Sequence, residues 1–127
     1  PLGSFRVARE NIGLIRALAL YVSFRGGYLG DNDARRLENA WQQLRDQITI
    51  IDSEVKALVA RTGAVRLQQQ WHLIQSQVEN YLGWVEEAMI LAPRVELEWE
   101  DAYDRGHRTM QSLSGLSEKM LQLAARQ

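Results

Sequence analysis

Arg9, Gly13 and Arg16 are spaced by four and three, which at about 100° per residue sets them on one side of a helix. An arginine fork presents a planar set of N–H donors that matches a small oxyanion. The positions four residues either side of Arg16 are Ile12 and Leu20, so no carboxylate within its own helix cancels its charge. The competing arrangement is an ion pair from Arg16 to an acid on a neighbouring helix. On a two-fold axis, one anion can be gripped by the same arginine from each subunit.

Other chemistries lack residues. Of the two histidines, His107 forms Asp104-x-x-His107, half of a di-iron carboxylate arrangement, but position 69, three before His72, is Gln69. With 0 Cys there is no thiolate nucleophile or zinc ligand. No nucleophile, base and orienting group can be assembled, so neither an enzyme nor a metal or other cofactor is expected. The acidic run Glu96, Glu98, Glu100 and Asp101 suits the positive end of a helix dipole. Trp41, Trp71 and Trp99 fall on apolar seams and read as core, while Trp84 lies off its seam. The charge is −1, from 15 Lys+Arg and 16 Asp+Glu, which argues against a nucleic-acid partner.

A chain of 127 residues with 46% hydrophobic side chains suits one domain, and 2 Pro and 9 Gly are too few punctuators for a many-turned β fold. Leu37, Trp41, Leu44, Ile48, Ile51, Val55 and Leu58 alternate steps of four and three. Leu67, Trp71, Ile74, Val78, Leu82, Val85 and Met89 do the same, as do Val95, Trp99, Ala102, Gly106, Leu113, Leu116 and Met120 with gaps. A first stripe runs through Phe5, Ala8, Ile12, Ile15, Ala19 and Val22 and stops at Arg25-Gly26-Gly27. These stripes predict helices over about 5–25, 32–61, 64–91 and 93–126, the last begun by Pro93. Short connections make the fold all-α, an antiparallel up-down-up-down four-helix bundle in a single domain over 5–127. Pro1-Leu2-Gly3-Ser4 reads as the scar of a removed tag and is set apart from it.

The first helix has more apolar surface than one core stripe uses. Val7, Leu14, Leu18 and Tyr21 recur at seven, four and three and form a second face, which predicts either deep burial or a homodimer through this helix. An even number of helices brings Phe5 and Gln127 to one end, the geometry of a receptor ectodomain whose outer helices continue into a membrane. No run reaches the roughly 18 apolar residues of a membrane span, so such spans are expected outside this segment.

The stretch Asn11-Ile12-Gly13-Leu14-Ile15-Arg16 resembles the first-helix signature of nitrate-sensing ectodomains of the NarX and PilJ type, where a Gly-x-x-Arg element sits early in a four-helix bundle. Gly13 and Arg16 match that element and Asn11 resembles the residue that often precedes it. The resemblance implies a periplasmic sensor domain of an inner-membrane signalling receptor, working in chemotaxis or a related output. It implies a homodimer that binds nitrate or another small anion between two copies of Arg16. Arg16, Gly13, Asn11 and Arg9 are then the ligand-binding candidates, and Val7, Leu14, Leu18 and Tyr21 the dimer interface. Two further readings stand beside it: a four-helix chemoreceptor domain for amino or organic acids, and an intracellular helical scaffold with no small ligand.

Overall fold

The two longest seams close first. In α2 (Asp31–Thr62) the residues Leu37, Leu44, Ile48, Ile51, Val55 and Leu58 are all buried. In α3 (Val65–Val85) so are Leu67, Trp71, Ile74, Val78, Leu82 and Val85. The turn between them is short because Gly63 takes a left-handed φ of 72° and its N–H reaches the Val59 carbonyl at 2.7 Å, satisfying one of the free carbonyls of the last turn. Asp31 and Asp33 in the first turn of α2 and Arg61 in its last complement the helix dipole. Across the pair, the Trp71 indole N–H donates to Asp52 at 2.9 Å and the Trp41 indole N–H to the Leu82 carbonyl at 2.8 Å, so the two helices run in opposite directions.

The computed structural model describes residues 3–24, 29–91 and 97–126, and those residues contain helix and turn but no strand. The first helix, α1 (Gly3–Phe24), packs against α2 on one edge and α4 (Leu97–Ala125) on the other, and α3 likewise touches α2 and α4. Helices adjacent in sequence are therefore adjacent in space, with α2 and α4 meeting across the middle. This is an all-α four-helix bundle. Every residue of the first stripe, from Phe5 to Val22, is fully buried, and Trp99, Ala102, Leu113, Leu116 and Met120 close the core from α4. No helix of the described residues is long and apolar enough to cross a membrane.

Several sequence expectations are corrected. Helix α1 starts at Gly3, which is exposed, and Ser4 is buried and donates from its hydroxyl to Glu54 of α2 at 2.6 Å, so Ser4 of the N-terminal tetrapeptide takes part in the packing. Trp41 is only half-buried. Ala40 occupies the core position beside it, while Arg45 lies over the Trp41 ring at 5.1 Å. The α-helix expected to reach residue 91 gives way at Glu86 to a π-helical segment, Glu86–Leu91. There the Leu82 carbonyl accepts from the Trp41 indole, and the Glu86 N–H is divided between the Leu82 and Gly83 carbonyls. A side chain entering the carbonyl ladder is a recognised cause of such a departure. The helix stop at Arg25-Gly26-Gly27, the start at Pro93, Val95, Glu96 and Gln127 lie outside the described residues.

Candidate functional site

Three lines at seven-residue spacing divide the surface of α1. Ser4, Asn11 and Leu18 are all buried, and the Ser4 bond to Glu54 sets this line against α2. Arg9 and Arg16 face the opposite edge, toward α4: Arg9 Nη1 donates to Ser114 Oγ at 3.2 Å, and Arg16 Nε donates to the Tyr103 carbonyl at 3.1 Å. Val7 and Leu14 are half-buried, and Tyr21 is 44% exposed.

The candidates read from the sequence are thus separated. Arg16 and Arg9 come together on the α4 edge. Asn11, only 7% exposed, turns to the other edge, where its Nδ2 donates to the Val7 carbonyl at 2.8 Å. Positions 11 and 16 differ by five residues, or about 140° around the helix, which is why a contiguous motif does not make a contiguous site. Leu18 is 3% exposed and belongs to the chain's own core, so of the proposed interface residues it has no surface to offer a partner. Gly13 has nothing within 4 Å of the place a Cβ would occupy, which leaves open space on the outer side of α1.

Arg16 is half-buried and its contacts are all neutral. Its guanidinium lies over the Tyr103 ring with Cζ 4.0 Å from the centroid, and Nη1 donates to the Met110 sulfur at 3.3 Å. A thioether is a weak acceptor, and among the described residues no carboxylate lies within ion-pair distance of Arg16. The bridge to an acid on a neighbouring helix, open from the sequence, does not form among the described residues. The aliphatic stem of Arg16 passes over Gly106 so closely that a Cβ there would stand 2.6 Å from its Cγ and 3.1 Å from the Tyr81 hydroxyl. Tyr81 is buried and its hydroxyl has no partner. Burial raises the Tyr81 phenol above its ordinary value, and the positive charge of Arg16 opposes that rise. The arrangement holds a fixed cation whose remaining donors can meet an anion, over a buried neutral phenol.

Sequence reasoning missed Tyr103, Met110 and Tyr81, and took Gly106 only as a seam position. The available signal was Gly106 itself. A glycine inside a long helix costs about 1 kcal/mol relative to alanine and therefore marks close packing. His72 and His107 are both exposed, and among the described residues no three His, Cys, Asp or Glu side chains group as a metal site. A groove between α2 and α4, lined by Ala57, Leu58, Met120, Leu121 and Ala124 with Glu54 and Arg61 at its margin, is mostly apolar and offers little to orient a ligand. Compared with known proteins, the chain matches no family model, no curated protein and no solved structure.

Proposed function

We propose that this bundle is the sensor domain of a bacterial transmembrane receptor and binds a small anion through Arg16. One observation carries the reading: Arg16 is a half-buried cation held in place by a tyrosine ring, a backbone carbonyl and a sulfur, with no acid to cancel it. An arginine is costly to desolvate without a counter-charge, and a planar anion such as nitrate or a small carboxylate supplies one. Gly13-x-x-Arg16 on α1, the first residue of the motif open to solvent space, supports a dimer formed by α1 around Gly13, with Val7, Leu14 and Tyr21 near the contact. The antiparallel order brings the start of α1 and the end of α4 to the same end, as a periplasmic receptor domain requires of helices that lead toward the membrane. Output to chemotaxis or a kinase then follows from a small shift of α1 against its mate.

Thermal melting with nitrate, nitrite, small carboxylates and amino acids tests this directly. A ligand at about 100 times its Kd adds about 2.7 kcal/mol to apparent stability. The stabilisation by nitrate or nitrite should vanish in Arg16→Ala and weaken in Arg16→Lys, which keeps the charge and loses the fork. Sedimentation should show that the same anion favours dimerisation. Unchanged nitrate and nitrite affinity in Arg16→Ala removes the site, and a monomer indifferent to every anion favours a helical scaffold.

A further inference from the structure

On the far side of α4 from Arg16, a groove of about 390 Å³ runs between α3 and α4. Bundle seams are ordinarily filled by apolar side chains at three- and four-residue spacing. Here α3 brings Ser76, Gln77 and Asn80 to the groove beside Leu73 and the ring of Tyr81, whose hydroxyl points on toward Gly106, and α4 brings Arg105, Arg108 and Thr109. We infer that this groove is a second binding site, distinct from Arg16, for a small organic oxyanion held by Arg105 and Arg108.

The charges point that way. Among the described residues no carboxylate lines the groove. Asp101 and Asp104 stand four residues before Arg105 and Arg108, the spacing of a helical ion pair, yet neither pair lies within ion-pair distance. Elsewhere on the bundle such pairs do form, Asp52 with Lys56 at 2.8 Å and Asp33 with Arg36 at 3.7 Å. Arg105 is instead held by its face: Cζ lies 4.9 Å from the centroid of the Trp84 ring, which orients the fork without neutralising it. Its Nε is buried with no hydrogen-bond partner. That unmade bond costs free energy, and the other N–H groups of the fork are the donors an acceptor in the groove would meet. This contact also accounts for Trp84, the one tryptophan off the apolar seams.

Shape and lining choose the ligand class. The groove is open, with Leu73, Ser76, Asn80 and Arg108 exposed along it, so an organic body can lie across it with part of its surface in solvent. Two guanidinium forks select carboxylate or phosphate oxygens, while the Gln77 and Asn80 amides and the Ser76 hydroxyl suit hydroxyl or amine groups on the remainder.

Titration calorimetry with succinate and with glycerol 3-phosphate, alongside succinamide as the uncharged control, tests the inference and separates the two sources of oxyanion. At least one anion should bind saturably while succinamide does not, and binding should change Trp84 emission, a signal absent in Trp84→Phe. Arg108 is exposed, so Arg108→Gln should fold as the parent does and bind at least about tenfold more weakly, the loss of one charge-assisted contact. Arg105→Gln should abolish binding, with the circular dichroism melt reporting its fold. Arg16→Ala should leave the titration unchanged, which keeps this site distinguishable from the one on α1. The inference is overturned if neither anion saturates, if Arg108→Gln binds as tightly as the parent, or if Arg16→Ala removes the binding.

Discussion

Three tryptophans show how differently the two halves of this bundle are finished. In the α2–α3 pair the Trp71 indole donates to Asp52 and the Trp41 indole to a backbone carbonyl. In α4 the Trp99 indole N–H is buried and donates to nothing, and the same is true of the Arg105 Nε beside Trp84. The Tyr81 hydroxyl, where α3 meets α4, is a third such group. Among the described residues α2 leaves no such group, whereas α3 leaves Gln70 Oε1 and the Tyr81 hydroxyl and α4 leaves Trp99 Nε1 and Arg105 Nε, so the unmade bonds gather on the α3–α4 side. Buried groups of that kind are few in native proteins, and two of these four, the Tyr81 hydroxyl and the Arg105 Nε, belong to residues that line the groove between α3 and α4.

The sharpest break of this contrast comes from the finished half. Ile51→Asp puts an unpaired charge at a fully buried seam position and should unfold the domain, since such a charge costs several kcal/mol against a typical stability of about 5–15. Cooperative melting near the parent temperature would show that α2 and α3 do not form the stable half. Gly106→Ala on the other side should cost about 1–3 kcal/mol, because the added methyl meets the Arg16 stem. Arg16→Ala should relieve most of that cost, and chemical denaturation of the two single variants and the double variant measures the coupling.

The tryptophans themselves sharpen the comparison. Trp71→Phe and Trp99→Phe remove indoles of almost equal burial, but only the first breaks a hydrogen bond, so Trp71→Phe should be the more costly by about 1 kcal/mol. Equal losses would mean that Trp99 has a partner in solution. The Asp52 carboxyl adds a pH dependence. Its hydrogen bond from Lys56, and then that from Trp71, hold it below the ordinary value of 3.8, with burial opposing. The unfolded chain therefore binds more protons in that range, so this contribution is present above about pH 4 and fades as pH falls through the lowered value. Asp52→Asn should flatten the acid limb of a stability profile.

Much of the fold was legible because its seams are periodic. Ile48, Ile51, Ile74 and Val78 follow the heptad and are buried, and Gly63 caps α2 as a glycine after Arg61-Thr62 should. The π segment was not legible, since it arises from an indole on α2 reaching a carbonyl on α3, and no residue type within Glu86–Leu91 announces that. Ile12 and Leu20 made it legible that no acid of its own helix cancels Arg16, whereas the absence of one from a neighbouring helix was not. Nor was the direction of Arg16, because Tyr103, Gly106 and Met110 lie about ninety residues away and only the packing of α1 on α4 brings them near. The same holds for Arg105 and Arg108, whose acids stand at the right spacing in sequence and do not pair in the fold.

The smallest expected effect discriminates most between a bundle that acts alone and one that acts in pairs. Gly13 is in the middle of α1 with open space where a Cβ would go, whereas Gly106 has none. Gly13→Ala should therefore stabilise the isolated bundle by about 0.5–1 kcal/mol, through the lower entropy of the unfolded chain. If a second α1 approaches across that space, the same methyl keeps the two backbones apart, and the dimer weakens while the monomer gains. Melting at low and high protein concentration separates the two contributions, because only the dimer term depends on concentration. A gain in stability that is the same at every concentration, with anion affinity unaltered, would show that α1 meets no partner at Gly13 and that Arg16 works within one chain.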